Sequence, residues 1–198
     1  MIKLGLFIIP QIKLKKKIIS LKREVKKIFG NQTYLNHLPH CTLYVFKTSK
    51  KNMNLLKKIK KITVNYKRLI IMKKTDIFYK DPITKKNTYV IKVKKNKFLI
   101  NLQKNILDNF TKYSLKTDNK FSNKKMFNNY NKFGYPYINT NWKPHYTIAS
   151  ISLKKNQNDF MKKYKKIKLT KKPSYLNRVC LYEIKKNQHK LICNIKVK

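Results

Sequence analysis

The chain has 198 residues, with 50 Lys and Arg against 7 Asp and Glu, which gives a net charge of +43. Its apolar fraction of 41% supplies enough side chains for a buried core and excludes a wholly disordered chain. With 3 Gly and neither a GxxxxGKS/T nor a GxGxxG pattern, the sequence also excludes a glycine-rich phosphate-binding loop.

Hydrophobic spacing predicts strands and short helices in alternation. Apolar runs predict strands at 3–9, 40–46, 62–72, 88–94, 145–153, 176–185 and 190–197, the last two as an antiparallel hairpin. Helical spacing predicts helices at 12–29, 51–60, 98–113 and 158–164. The Asn-, Lys- and Tyr-rich stretch 116–141 has little periodicity and is predicted to be a long loop. Together these elements predict a single α+β domain over 1–198, with short helices on a mostly antiparallel sheet.

Short apolar runs and scattered cysteines indicate the compartment. The first apolar run ends at Pro10, too early for a signal sequence, and no later run reaches the about 18 residues of a membrane span. Cys41, Cys180 and Cys193 are odd in number and lack CxxC spacing, which argues against a disulfide framework or a zinc site. We expect a cytoplasmic monomer with no membrane partner.

Lysine supplies almost all of the basic charge. The three arginines are Arg23, Arg68 and Arg178. A surface this basic attracts polyanions such as RNA, in a way that weakens with salt. Lys, Asn, Ile, Tyr and Phe also have AT-rich codons, so mutational bias explains the same composition without a nucleic-acid partner. Both explanations stay open, and either suits an anionic substrate.

Two segments share the pattern Pro-His-x-Thr followed by an aliphatic residue, at 39–43 and 144–148. Side chains alternate along a strand, so His40 and Thr42 share one face, as do His145 and Thr147. Two such strands brought together would surround a phosphate with two imidazoles and two hydroxyls. One histidine would take a proton from the attacking water or hydroxyl while the other gives one to the leaving oxygen. The threonines would stabilise the charge on the non-bridging oxygens.

These paired motifs, about a hundred residues apart, resemble those of the 2H phosphoesterase superfamily, and most of all its 2′-5′ RNA ligase-like branch. The similarity extends from the first strand to the closing hairpin. It implies two pseudo-symmetric halves with helices outside and a central cleft that takes one His-x-Thr strand from each half. The chain departs from the family in the long insert before the second motif and in the lysine content.

The resemblance also implies an activity. Members hydrolyse RNA 2′,3′-cyclic phosphates, 2′-5′ linkages or related small cyclic phosphodiesters without a metal or nucleotide cofactor. Carried over to this chain, His40 and His145 are the acid–base pair, and Thr42 and Thr147 hold the phosphate. RNA ends or small cyclic nucleotides are the implied partners.

Other side chains are candidates for substrate contact. Tyr135, Tyr137 and Trp142 lie in or beside the predicted loop before the second motif. They are predicted either to stack on a base or to hold that loop against the body of the protein. Arg178, on the closing hairpin, is a candidate to approach the cleft.

Three further residues are predicted to have no chemical role. Strand alternation turns Cys41 away from His40, so it is expected to pack. His37 is expected to be a loop residue, since no carboxylate or cysteine cluster supports a metal site. His189 is expected to be solvated at the hairpin turn.

Three alternatives to an RNA phosphodiesterase stay open. A phage-like 2H enzyme would degrade cyclic oligonucleotide signals and would reject RNA ends. A non-catalytic basic RNA-binding module with vestigial motifs would bind RNA tightly even without the two histidines. ATP-independent 2′-5′ ligation is the reverse direction of the same chemistry.

Overall fold

The computed structural model describes residues 1–117, 121, 123–152, 157–169, 172–185 and 188–198. Part of the predicted loop (118–120 and 122) and the last residue of the strand predicted at 145–153 lie outside the described residues.

Ten strands are found in this part of the chain. Their bounds are β1 (Ile2–Ile8), β2 (Cys41–Thr48), β3 (Lys61–Ile62), β4 (Leu69–Ile70), β5 (Met72–Phe78), β6 (Asn87–Val93), β7 (His145–Ile151), β8 (Ser174–Tyr175), β9 (Arg178–Lys185) and β10 (Gln188–Val197). Eight of them form one sheet in the order β3-β10-β9-β1-β2-β7-β6-β5, and β4 pairs separately with β8. The pairing is antiparallel except between β3 and β10, which confirms the predicted α+β fold with a mostly antiparallel sheet.

The large sheet is divided into two halves at the junction of β2 and β7. These strands pair at one residue couple, Cys41 with Tyr146, whereas β1 and β2 pair along their whole length from Ile2 to Ile8. One half holds β3, β10, β9, β1 and β2, and the other holds β7, β6 and β5. The two-part arrangement, with one His-x-Thr strand from each half meeting in the middle, is therefore confirmed.

Five α-helices accompany the sheet in the described ranges: α1 (Ile12–Phe29), α2 (Met53–Lys58), α3 (Lys97–Phe110), α4 (Lys124–Phe133) and α5 (Gln157–Lys165). The apolar stripes of α1 and α3 include Ile18 and Leu99, which join one core with Leu4 and Leu6 of β1. Because side chains alternate in a strand, Phe7 points the other way and belongs to a separate small cluster with Cys180 and Tyr182. This second face of the sheet is free of the main core and carries the two motifs. No helix in the described ranges is long and apolar enough to cross a membrane.

Two predicted elements are wrong. The stretch 116–141 contains a helix, α4. The Asn123 side chain caps its N-terminus by accepting a hydrogen bond from the Met126 N–H at 3.1 Å. The helix ends at Gly134, whose φ is 72°. The strand predicted at 62–72 is interrupted, because the chain turns between β3 and β4 with a local hydrogen bond from the Tyr66 N–H to the Val64 carbonyl.

Candidate active site

The strand register brings the four predicted catalytic side chains together. Cys41 lies opposite Tyr146 in an antiparallel pair, so His40 falls opposite Thr147 and Thr42 falls opposite His145. Opposite residues of such a pair project to the same face of the sheet. Cys41 and Tyr146 are 0% and 1% exposed on the core face, whereas all four motif side chains are half-buried on the other face. Each histidine thus has the threonine of the other motif as its cross-strand neighbour.

Both histidine rings are held in the same way. Nδ1 of His40 lies 2.6 Å from the Leu38 carbonyl, and Nδ1 of His145 lies 2.6 Å from the Lys143 carbonyl, each two residues before the histidine. A carbonyl oxygen can only accept, so Nδ1 carries the hydrogen in both rings. Nε2 is left in each ring to take or give a proton. The two motifs therefore repeat each other in hydrogen bonding as well as in sequence.

A phenylalanine supports each ring. Phe7 of β1 stacks on His40 with 4.0 Å between ring centroids, and Phe78 of β5 meets His145 edge-on at 4.9 Å. Phe7 is 1% exposed, and its ring lies over Gly5, where a methyl group would come within 2.6 Å of Phe7 Cε1. The absence of a side chain at Gly5 is therefore what lets Phe7 occupy the position beneath His40.

Burial favours the neutral form of both histidines. It lowers the pKa of His40 to about 3; the hydrogen bond to Leu38 opposes this, and repulsion from the protonated forms of His189 and His37 and from the Lys22 ammonium adds to it. Burial also lowers the pKa of His145; the Lys143 carbonyl and the Asp81 carboxylate act in the opposite direction, and the Lys92 ammonium adds to the lowering. At neutral pH both imidazoles of the free protein can act as bases.

Side chains from outside the sheet hold the strand that carries Thr42. The Trp142 indole Nε1–H donates to the Thr42 carbonyl at 2.9 Å, and the Gln103 amide donates to the Leu43 carbonyl at 2.9 Å. Leu43 has no partner residue in β1, because the β1–β2 register shifts between Leu6 and Phe7. The Trp142 side chain is 5% exposed. For Trp142, stacking on a base and holding its segment against the body of the protein both stay predictions.

The remaining substrate-binding candidates lie around the motifs. Tyr135 packs edge-on against Tyr44, with 6.1 Å between ring centroids, and burial raises its pKa. Tyr137 is half-buried, 5.7 Å from the Tyr135 ring. Arg178 is exposed at the start of β9, and alternation places it on the same face as Cys180, which pairs with Phe7. For Tyr135, Tyr137 and Arg178, substrate contact stays a prediction.

Cys41 packs as predicted. It is fully buried in the main core, and burial raises the pKa of its thiol to about 12. A thiol in that environment is not a nucleophile at neutral pH.

Sequence reasoning did not predict that His37 and His189 cluster with His40, although His37 does lie in a loop, between α1 and β2, as predicted. The prediction that His189 is solvated at a turn is wrong, since it lies within β10, half-buried, with its ring centroid 5.2 Å from that of His40. His37 lies 5.2 Å from His189 by the same measure. The pairing of His189 with Ile184 turns it toward the Phe7 cluster, and spacing along the sequence does not reveal such a register. Across the described ranges, no group of three or more His, Cys, Asp or Glu side chains is arranged to hold a metal ion.

An α+β protein with a two-part antiparallel sheet and paired motifs at its centre has known structural counterparts. The fold is similar to that of TT0787 of Thermus thermophilus, with a TM-score of 0.57 and 11% identity over 98% of this chain and 97% of that one. It is also similar to Escherichia coli LigT in its apo form, with a TM-score of 0.50 and 12% identity over 100% and 98% of the two chains. No protein-family model matches the sequence, and no curated protein matches it. The chain therefore has the fold of TT0787 and LigT, as the resemblance to 2H phosphoesterases predicts.

Proposed function

We propose that this protein is a metal-independent phosphodiesterase of the 2H type that acts on RNA 2′,3′-cyclic phosphates or 2′-5′ linkages. One observation carries the proposal: the single β2–β7 pair sets His40 opposite Thr147 and Thr42 opposite His145 on the half-buried face of the sheet. The fold shared with LigT supports it.

Hydrolysis of a cyclic phosphate by this site needs no further group. Water attacks phosphorus while one imidazole Nε2 takes its proton, a new P–O bond forms, and the bond to the 2′ or 3′ oxygen breaks. The second imidazole, protonated, gives the Nε2 proton to the departing oxygen. Thr42 and Thr147 donate hydrogen bonds to the non-bridging oxygens, where negative charge increases in the transition state. Product release leaves the proton on the first histidine, and exchange with solvent resets the pair.

The surroundings favour different roles for the two histidines. The Lys22 ammonium lowers the pKa of His40, whereas at His145 the Asp81 carboxylate raises the pKa by more than the Lys92 ammonium lowers it. An anionic phosphate bound between them favours protonation of the nearby imidazoles, because opposite charges stabilise each other. His145 then holds a proton more readily and acts as the acid, and His40 acts as the base.

The test is ring opening of an RNA oligonucleotide that ends in a 2′,3′-cyclic phosphate, in EDTA, followed by chromatography and mass spectrometry. We expect opening by the natural protein, a loss of about 10²–10⁴-fold or more in His40→Ala/His145→Ala, and no change in Lys13→Ala, an exposed control on α1. Absence of opening by the folded natural protein would refute the proposal for RNA ends.

The same assay separates the alternatives. Cyclic dinucleotides and larger cyclic oligonucleotides form a second substrate set, and conversion of these alone would assign the protein to cyclic-signal degradation. RNA binding that persists in the double variant, with no conversion of any substrate, would assign a binding module. Ligation is tested by incubating RNA with a 2′,3′-cyclic phosphate end together with RNA with a 5′-hydroxyl end and measuring the joined product.

A further inference from the structure

Three imidazoles lie together on one side of the candidate active site. The ring centroid of His189 is 5.2 Å from that of His40 and 5.2 Å from that of His37. They come from separate segments: His189 from β10, His40 from the first motif, and His37 from the stretch before it. All three are half-buried. The side of the site around His145 has no such group among the described residues.

The rings of His37 and His189 are available to a ligand. His40 uses Nδ1 on the Leu38 carbonyl, whereas neither His37 nor His189 makes a ring hydrogen bond within the described ranges. Their contacts are aromatic: His37 meets Tyr34 at 5.2 Å, and His189 meets Phe7 at 5.6 Å. Each ring therefore keeps its N–H donor for a bound group.

The charges around this pair favour an anion. Lys22 of α1, 6% exposed, donates to the carbonyls of Tyr34 and His37, the latter at 2.9 Å. Burial is the largest cause that lowers the pKa of both rings. The Lys22 cation lowers the pKa of His37 further, and repulsion from His37, Lys22 and Lys3 lowers that of His189 further. The titratable groups that face the pair are His40, Tyr34, Tyr182, Lys22 and Lys3. No carboxylate is among them.

The other side of the site is different. Lys92 lies opposite His145 in the β6–β7 ladder, and its ammonium group is paired with the Asp76 carboxylate. The Lys143 ammonium, 5.9 Å from the centroid of the Phe78 ring, also contributes positive charge on this side. What the His40 side has in addition is two imidazoles, His37 and His189, without a ring hydrogen bond within the described ranges. A second phosphate placed there would accept hydrogen bonds from these two rings.

We propose that His37 and His189 form a second phosphate subsite that binds the phosphodiester next to the scissile phosphate. This inference rests on the proposed function and specifies its substrate: an oligonucleotide end is preferred to a mononucleoside cyclic phosphate. Lys22 is a positioning residue for the subsite, because it fixes the backbone that carries His37.

The test measures binding, so that it does not depend on turnover. The probes are the RNA dinucleotide ApA with a 3′-phosphate and its analogue with a neutral methylphosphonate linkage, titrated by calorimetry. In the natural protein we expect the charged linkage to bind about tenfold tighter or more than the neutral one. In His37→Gln/His189→Gln this ratio should fall to about one, while Lys13→Gln, an exposed control, keeps the ratio of the natural protein.

Acidity supplies a second readout. Because a bound phosphate raises the pKa of imidazoles that are otherwise neutral, binding takes up protons. The ratio should therefore be larger at about pH 6 than at about pH 8 in the natural protein, and independent of pH in the double variant.

Two results would overturn the inference: equal affinity for the two linkages in the natural protein, or a ratio that survives in the double variant. If the double variant fails to fold by circular dichroism, His189→Gln alone is measured, and an unchanged ratio overturns the inference in the same way. Ring opening is scored separately on the natural protein. Its absence would refute the proposed function and would leave the binding ratio to decide the subsite.

Discussion

Replacing Gly5 by alanine tests how His40, the first of the two proposed catalytic histidines, is supported. The new methyl group would overlap the Phe7 ring, with 2.6 Å to Cε1, and would lie 3.0 Å from Cδ1 of Ile184. The ring has little room to move, because it is 1% exposed and enclosed by His40 at 4.0 Å, His189 at 5.6 Å and Tyr182 at 5.7 Å between centroids. Gly5→Ala must therefore displace Phe7 and, with it, the stacked imidazole.

The expected effects follow from the overlap. Overfilling a packed site costs about 1–3 kcal/mol of the free energy of unfolding. A shift of about 1 Å at the His40 ring can cost about a hundredfold in rate, so kcat/KM should fall by between about ten- and a hundredfold. The control is Gly30→Ala at the end of α1, where φ is +69° and no atom lies within 4 Å of the added methyl group. Its ψ of −155° puts Gly30 in a region that is almost exclusive to glycine, so the variant should lose about 1–3 kcal/mol of stability through backbone strain and keep its activity.

The assays are urea unfolding and the turnover of a 2′,3′-cyclic phosphate. In Gly5→Ala/Phe7→Leu the overlapping ring atoms are gone, so the loss of stability should be at least about 1 kcal/mol smaller than the sum of the single losses. Additive losses, or a Gly5→Ala protein with natural stability and activity, would refute the reasoning that links Gly5 through Phe7 to His40.

Three further predictions concern the surroundings of the site. Burial lowers the pKa of all four histidines below the value near 6.5 that they have in the unfolded chain. Below about pH 6.5 the unfolded chain therefore binds more protons than the folded protein. The free energy of unfolding should decrease as the pH falls from about 6.5 toward 3. Urea titrations at several pH values measure this, and His40→Gln should flatten the dependence; a pH-independent stability would contradict it. Trp142→Phe removes the donor to the Thr42 carbonyl. It should lower the free energy of unfolding by about 1–2 kcal/mol and lower kcat more than it raises KM. An unfolding midpoint equal to that of the natural protein would contradict this role of Trp142. Lys22→Met leaves the carbonyls of Tyr34 and His37 without their donor and should lower the free energy of unfolding by about 1–3 kcal/mol. Lys26→Met, at an exposed position on the same helix, should lower it little. Equal effects of the two changes would contradict the positioning role of Lys22.

The sequence was sufficient to predict which motif residues share a face. Alternation along a strand is local, so His40 and Thr42, and likewise His145 and Thr147, could be paired from their spacing. The crossing of the two strands at Cys41 and Tyr146 could not, because register between distant strands depends on packing of the whole sheet.

The neighbours of His40 were beyond the sequence for the same reason. His189 reaches the site through the β9–β10 register, which shifts between Leu191 and Cys193. Lys22 looks like one of many helix-surface lysines in the sequence, and its burial beneath the Tyr34–His37 carbonyls is visible only in three dimensions.

Composition concealed α4. Its apolar residues Met126, Phe127, Tyr130 and Phe133 do recur at helical spacing, with Asn123 as a cap and Gly134 as a stop. The high Asn and Lys content of the stretch obscured this pattern. Residues 62–72 are rich in β-forming residues, which predicted one continuous strand. In the structure local turns divide these residues between two short strands, β3 and β4.

The central claim is that His40 and His145 act as one acid–base unit, and a variant series on one substrate tests it most directly. The quantity is kcat/KM for opening of an RNA 2′,3′-cyclic phosphate in EDTA by the natural protein, His40→Gln, His145→Gln and the double variant, each checked for folding. We predict that each single change costs about 10²–10⁴-fold and that the double change costs no more than the worse single one, since a unit that has lost one member has little left to lose. Costs that multiply in the double variant, or a single variant with natural activity, would contradict the account.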